Sequence, residues 1–304
     1  LLQASQTPLG AVRSFSTEQN QHVKLPVYDH AAERLQALKN YLSLQEDSTI
    51  RNVGTFSRSP LRDFLEAEWD DLIDLVSSLL SQLQHPVQYA SSFSSLLNLS
   101  DLSRLEKRAK LISAYLWSDS SSDPPGAYRL SAFKDPRGFL VALIREAAHE
   151  YYKYSSDIIL QFQVLSKDTN PALLPPDAVY LCGLELRGAS WDTEQGSLQD
   201  AVFPQLFSMP LLCVKAGVRS RDCAADPLSS CSYLMDSGNL QVGDVSPQTA
   251  SQLPVYCCPL YVNKEEESGN SGLSDVNIIT KVPLYTQISP VMCSLRRVRL
   301  VCAL

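Results

Sequence analysis

The sequence lacks the short motifs by which most nucleotide-binding and hydrolytic enzymes are recognised. Its 304 residues contain no Gly-x-x-x-x-Gly-Lys-[Ser/Thr] loop to cradle a phosphate, no Gly-x-Ser-x-Gly elbow and no His-Glu-x-x-His pair. Histidine is scarce, with four residues, all in the first half of the chain. The sequence therefore gives no support to ATP hydrolysis, serine catalysis or zinc-dependent hydrolysis, and we expect no catalytic, cofactor-binding or metal-binding residues.

Long hydrophobic runs are also absent. No apolar stretch approaches the roughly 20 residues that a membrane-spanning helix needs, and no secretory signal opens the chain. The formal net charge is −7, which disfavours binding to nucleic acid or to an anionic membrane. Hydrophobic residues make up 44% of the chain, enough for a globular core. We expect neither nucleic acid nor membrane as a partner.

The eight cysteines all lie in the second half, and none forms a Cys-x-x-Cys pair. Cys182, Cys213 and Cys302 fall in apolar, strand-like runs, which favours reduced thiols in a cytosolic protein, while the even count leaves disulfides open. Two catalytic pairings are weak alternatives. His149 and Glu150 are adjacent on a helix and point about 100° apart. A Cys257 nucleophile with His149 has only residue type in its favour.

Helical spacing of apolar residues dominates the first half. It predicts helices over residues 29–44, from Ser59 to a stop at Pro86, over residues 101–117, and from Asp135 onward. The second of these is the clearest, because Ser59 can cap it and Pro60 suits the first helical position. We expect a polar leader over residues 1–24, a helical subdomain over residues 25–170 and a strand-rich subdomain over residues 175–304. The fold class is therefore α+β, with a helical layer followed by antiparallel strands in a small barrel or a sandwich.

Alternation of period two dominates the second half. Apolar residues take every second place from Tyr180 to Leu186, with Glu185 among the residues between them. This alternation predicts a single half-buried strand with a bulge or a close backbone neighbour at Gly183 and an end at Gly188. A turn over residues 192–197 and a partner strand over residues 211–216, entered through Pro210, complete a hairpin. Further strands are predicted over residues 276–282 and 295–302, separated from the hairpin by a long loop over residues 217–254.

The amino-acid identities in these segments are more specific than their hydrophobic periodicity. Residues 183–192, Gly-Leu-Glu-Leu-Arg-Gly-Ala-Ser-Trp-Asp, resemble the "GLFLEGARWD" signature in the C-terminal domain of dynein heavy chains. Three further matches follow the family's order: Tyr128 to Leu140 with "FWLSGFF-PQ-FLTA", Ser156 to Val164 with "IDTL-F---V", and Tyr256 to Tyr261 with "Y-CPLYKT". The positions that carry the signature are Gly183, Gly188, Trp191, Asp192, Pro210, Tyr256, Pro259 and Tyr261.

The resemblance implies a fold and a role. It implies an incomplete β-barrel at the C-terminus. We interpret Trp191 as a plug at the end of that barrel and Asp192 as a turn cap, with a binding site at these two residues as the alternative. The resemblance also implies a non-catalytic domain that braces a dynein AAA+ ring, with ATP and Mg²⁺ bound only upstream if at all. The implied partners are the AAA+ modules of the same heavy chain, dynein complex subunits and, indirectly, microtubules. The implied location is the cytoskeleton, in the axoneme of a cilium or sperm flagellum.

Several positions depart from the family pattern. Cys293 stands where the family has tryptophan, Arg297 where it has glycine and Arg299 where it has alanine. Tyr128 and Arg129 replace Phe-Trp, so the sequence resembles a divergent member. An alternative is a scaffold or adaptor protein that carries the domain without a motor. The presence or absence of P-loops upstream of Leu1 distinguishes these two hypotheses.

Overall fold

The computed structural model describes residues 26–50, 59–84, 99–117, 127–165, 178–201, 206–218, 242–243, 253–262 and 278–302. The long helices are α1 (Pro26–Ile50), α2 (Pro60–Gln84), α3 (Leu99–Trp117) and α4 (Pro136–Glu150), of which the first three precede every described strand. All four predicted helices are therefore present. The predicted cap of α2 is also present, since the Ser59 hydroxyl accepts a hydrogen bond of 3.2 Å from the Arg62 amide. The predicted leader, residues 1–24, lies outside the described residues.

The described part of the protein also contains twelve strands, one short α-helix and two single-turn 3-10 helices, Leu130–Ala132 and Ser155–Asp157. The strands and the short α-helix are β1 (Ala127–Tyr128), β2 (Ile158–Val164), β3 (Val179–Leu181), β4 (Leu184–Arg187), β5 (Ser190–Asp192), β6 (Ser197–Gln199), β7 (Phe207–Ser208), β8 (Leu212–Val218), β9 (Val242–Gly243), β10 (Val255–Tyr261), β11 (Ile278–Tyr285), α5 (Pro290–Leu295) and β12 (Arg299–Cys302). Sheet A has the order β1-β3-β8-β2-β9, sheet B has the order β11-β10-β12-β4-β7, and β5 pairs with β6 alone. The α+β class is confirmed. Both sheets are open, so the described strands form no closed barrel.

The sheets are mixed rather than purely antiparallel. Parallel pairing occurs between β1 and β3, between β2 and β9, and between β10 and β12. Parallel neighbours require a crossover connection. Between β10 and β12 that connection includes β11 and α5, which lead away from β10 and back to its other side.

The predicted strand from Tyr180 to Leu186 is wrong as a single strand. It is divided at Gly183, which has φ of +68°, so that β3 joins sheet A and β4 joins sheet B. Only β3 pairs with β8, whereas β4 pairs with β12 and β7. Gly183 therefore marks a change of sheet and not a bulge, because its left-handed backbone redirects the polypeptide between the two sheets.

Two further expectations need correction. The last predicted strand, residues 295–302, begins too early, because Leu295 ends α5 and β12 starts at Arg299. The predicted loop, residues 217–254, contains the end of β8 and the short strand β9, which lies beside β2. Most of the remaining loop lies outside the described residues.

Helices and strands share one continuous hydrophobic core. An aromatic cluster joins them, in which Phe133 stacks on Phe139 at a centroid distance of 4.9 Å and Phe64 and Tyr128 pack around Phe139. Phe139 and Leu140 of α4 are fully buried. Each of these buried side chains removes a large apolar area from water, so their packing stabilises the contact between helices and sheets. Helix α4 therefore connects the helical layer to the sheets.

A buried carboxylate fixes the entry to α4. Glu68 of α2 is 4% exposed and accepts hydrogen bonds from the amides of Lys134, at 2.7 Å, and Asp135, at 2.9 Å. The Arg108 guanidinium lies 3.4 Å from the same carboxylate and donates to the Ala132 carbonyl at 2.8 Å. The guanidinium charge and the two backbone donors compensate the desolvated carboxylate, so α2, α3 and the start of α4 are held together.

Candidate functional site

Four of the eight signature positions meet where hairpin β5–β6 packs against the connection from β11 to β12. We call this region, residues 188–200 and 286–298 together with Tyr256, the α5 corner. Gly188, Trp191, Asp192 and Tyr256 belong to it. Its contacts determine where α5 is held on the surface of sheet B.

Asp192 closes the turn of the hairpin. One carboxylate oxygen accepts hydrogen bonds from the amides of Glu194, at 2.9 Å, and Gln195, at 3.1 Å. The other accepts from the side-chain amide of Gln287 at 3.1 Å. The Gln195 and Glu194 amides, with Gln287, lower the pKa of Asp192 below its ordinary value because they stabilise the ionised form.

Gln287 ties the hairpin to the segment before α5. Its side-chain amide lies within 3.0 Å of the Ser197 hydroxyl and 3.1 Å of the Gln195 side-chain oxygen, and its backbone amide donates to the Leu198 carbonyl at 2.8 Å. Next to it, Thr286 is fully buried and bridges to Leu198. The hairpin and the α5 connection are therefore joined by both backbone and side-chain bonds.

Trp191 fills the interior behind this turn. It is 6% exposed, it pairs with Leu198 across the hairpin, and both belong to the main core. The indole is therefore packed in the core, where little of it is accessible to a ligand.

Gly188 allows the hairpin to approach the segment after α5. Its φ is +83°, and a Cβ atom at this position would lie 2.9 Å from the Arg296 carbonyl oxygen and 3.3 Å from the Val298 Cα. A larger residue would therefore meet backbone atoms as well as an unfavourable backbone conformation. Close by, the Arg296 guanidinium forms an ion pair with the Asp200 carboxylate.

Tyr256, Pro259 and Tyr261 lie on β10, beside the C-terminal end of α5. The Tyr256 hydroxyl donates to the Val298 carbonyl at 2.9 Å, which connects β10 to the residue just before β12. Burial is the main cause that raises the pKa of this hydroxyl. All three residues line a groove of about 380 Å³, with Arg297 and Arg299 also in its lining.

Gly183 and Pro210 lie outside the α5 corner. Gly183 separates β3 from β4, and Pro210 separates β7 from β8. At both places the polypeptide passes between sheets A and B, and the Met209 amide donates to the Leu184 carbonyl at 2.9 Å between them. Both positions serve the architecture of the sheets.

The sequence pattern did not indicate Gln287, Thr286 or α5 as parts of this site. The helix carried a usable signal, because Ser289 followed by Pro290 is a typical start for a helix. Gln287 carried no local signal, since its role depends on the hairpin lying opposite it.

The weak catalytic alternatives gain nothing from the geometry. Cys257 is disulfide-bonded, so it is no free nucleophile, and the expectation of reduced thiols is wrong at this position. Five of the described cysteines form no disulfide. Burial raises the pKa of Cys302 to about 12 and that of Cys258 further, which disfavours the reactive thiolate at both positions. The described cysteines that form no disulfide are Cys182, Cys213, Cys258, Cys293 and Cys302, whereas Cys223 and Cys231 lie outside the described residues.

The described residues contain neither a candidate metal centre nor a candidate membrane-spanning helix. Within those ranges, no group of three or more His, Cys, Asp or Glu side chains is arranged to hold a metal ion. None of the described helices combines the length and the apolar character needed to cross a membrane.

A second groove, of about 660 Å³, lies at the starts of α2 and α4, where its lining includes Asp63, Asp135, Arg137 and Arg145.

The amino-acid sequence matches a known protein family. The family model for the C-terminal domain of dynein heavy chains matches residues 69–302, from α2 to β12. Dynein heavy chain domain-containing protein 1 of Homo sapiens is 30% identical over 219 residues, which is 65% of this chain and 4% of that protein. Its Mus musculus counterpart is 28% identical over 299 residues, which is 81% of this chain and 6% of that protein.

More distant similarity extends to dyneins of the axoneme. Dynein axonemal heavy chain 8 of Mus musculus is 26% identical over 181 residues, which is 59% of this chain and 3% of that protein. The sequence thus spans only a few per cent of the length of these relatives.

Proposed function

Because this protein belongs to the family of C-terminal domains of dynein heavy chains, we propose that it braces the AAA+ ring of a dynein-like heavy chain and tunes its motor cycle. The match to the family over residues 69–302 carries this proposal. The continuous core supports it, since helices and sheets that share buried side chains form a stiff body suited to bracing. The role is non-catalytic, and ATP and Mg²⁺ bind in upstream modules. The disulfide at Cys257 and the burial that raises the pKa of the Cys258 and Cys302 thiols support this reading.

We further propose that the protein acts in a cilium or flagellum, including that of sperm, in contact with dynein complex subunits and, through the ring, with microtubules. Support comes from the names of similar proteins, which include axonemal heavy chains and the 1-beta heavy chain of a flagellar inner arm complex in Chlamydomonas reinhardtii. Divergence at Cys293, Arg297 and Arg299 favours a specialised member. A scaffold of the axoneme without motor activity is the second candidate.

Deletion of residues 69–302 from the full-length heavy chain separates these roles. Bracing predicts that the deletion changes microtubule-stimulated ATP turnover while basal turnover persists in the ring. A scaffold predicts that neither protein turns over ATP and that the deletion abolishes incorporation into the axoneme. Unchanged turnover and unchanged incorporation would contradict both. As a control, calorimetry of residues 1–304 with Mg-ATP should show no saturable heat.

A further inference from the structure

Helix α5 presents an apolar face to solvent. Val291 is 67% exposed, Met292 is 40% exposed and Leu295 is 71% exposed, whereas Cys293 between them is fully buried. Val291 and Leu295 are four residues apart and Met292 and Leu295 are three apart, so all three side chains lie on the same face of the helix. A cluster of exposed aliphatic side chains on a short helix is the kind of surface that marks an interaction site.

This face cannot turn inward, because α5 is fixed at both ends. Before the helix, Gln287 binds the β5–β6 hairpin, and Thr286 lies 3.6 Å from the Cys293 sulfur. After the helix, the Val298 amide donates to the Cys293 carbonyl at 2.9 Å, and Gly188 packs against the Arg296 carbonyl. The α5 corner thus presents the apolar side chains in a preorganised arrangement, which reduces the entropy lost on binding.

Cationic residues border the apolar face on one side. Arg296, Arg297 and Arg299 follow α5 directly, in a protein whose net charge is −7. The Arg296 guanidinium forms an ion pair with the Asp200 carboxylate. Arg297 is exposed and, together with Arg299, lines the 380 Å³ groove. Arg297 adopts φ of +54°, a conformation that costs a non-glycine residue free energy.

We propose that the α5 face and the adjoining groove bind a segment of another protein that carries aliphatic or aromatic side chains next to carboxylates. The apolar side chains would pack on Val291, Met292 and Leu295, and the carboxylates would pair with Arg297 at the groove. Charge complementarity selects this occupant. In a symmetric dimer the α5 face would pack against the same face of the second copy, so that the arginines of the two copies would repel each other. The acidic net charge of the protein opposes an anionic membrane.

The proposal is tested by selecting random dodecapeptides on immobilised residues 1–304 and measuring the affinity of enriched peptides by fluorescence polarisation. Enriched peptides should combine net negative charge with Leu, Ile, Phe or Trp, and their affinity should fall as salt rises. The double variant Val291→Ser/Leu295→Ser should weaken binding at least tenfold. Leu44→Ser is the matched control, because Leu44 is 66% exposed on α1, a helix that does not belong to the α5 corner.

Charge is tested separately at Arg297. Arg297→Gly removes the cation at a position whose backbone suits glycine, so the fold is retained while affinity falls at least fivefold. Arg297→Lys, which keeps the positive charge, should retain most of the affinity that Arg297→Gly loses. Enrichment of neutral or basic peptides, or equal binding by the double variant and its control, would overturn the proposal. So would a failure to enrich any peptide, self-association lost in the double variant, or binding to phosphatidylserine vesicles that the double variant abolishes.

Discussion

Substituting Gly188 by alanine tests whether the α5 corner depends on the close approach of the hairpin to the segment after α5. The added methyl group meets two costs. The left-handed backbone, with φ of +83°, costs alanine about 1–2 kcal/mol. The contact of 2.9 Å with the Arg296 carbonyl adds about 1–3 kcal/mol, because a backbone atom moves aside less readily than the end of a flexible side group. We expect Gly188→Ala to lower the free energy of unfolding by about 2–5 kcal/mol.

Gly196 provides the matched control for this variant. It has a similar φ of +63°, but a Cβ atom there would have no neighbour within 4 Å. Gly196→Ala should therefore cost only the backbone contribution, about 1–2 kcal/mol. Urea unfolding followed by circular dichroism gives both values, and the difference between the variants isolates the close approach. Equal losses in the two variants would refute the assigned role of Gly188.

Three further predictions concern the core, the entry to α4 and the turn. Trp191→Ala should lower the free energy of unfolding by about 3–5 kcal/mol and, because the core is continuous, should shift one common melting transition of helices and strands; separate transitions in calorimetry would contradict this. Glu68→Gln should lower the free energy of unfolding in urea by about 1–3 kcal/mol. The backbone amides of Lys134 and Asp135 donate to different oxygens of the Glu68 carboxylate, and the glutamine side chain has only one acceptor oxygen; an unchanged urea midpoint would argue against this. Asp192→Asn should destabilise at neutral pH. The lowered pKa of Asp192 contributes stability above the ordinary carboxyl pKa of about 3.9, and that contribution is lost as the pH falls through the folded-state value, so the variant and the parent should converge in acid; a difference in urea midpoint that is independent of pH would refute this.

The long helices could be predicted because each carries its own signals. Ser59 and Pro60 mark the start of α2 locally, and its apolar stripe repeats often enough to be recognised. Helix α5 has only six residues, too few to show a helical period, and so the sequence pattern assigns its last residue to the following strand.

The division at Gly183 is hidden for a different reason. Alternation requires only that each strand has one buried face, and the residues of β3 and β4 together satisfy it although they belong to different sheets. The candidate site shows the same limit. Gly188, Trp191 and Asp192 carry a recognisable signature, whereas Gln287 acquires its role only when distant segments meet. Pairing between segments far apart in sequence is a tertiary property that local pattern does not encode.

The position of β12 in the middle of sheet B has a consequence for how the protein is made. Since β12 separates β10 from β4, sheet B exists as two unconnected halves until residues 299–302 have left the ribosome. During that interval the inner edges of β10 and β4 offer unpaired backbone groups to other polypeptides, a condition that favours aggregation. A premature stop codon shortly before Arg299 would leave both edges permanently open. Such a truncation should yield insoluble protein rather than a slightly weakened domain.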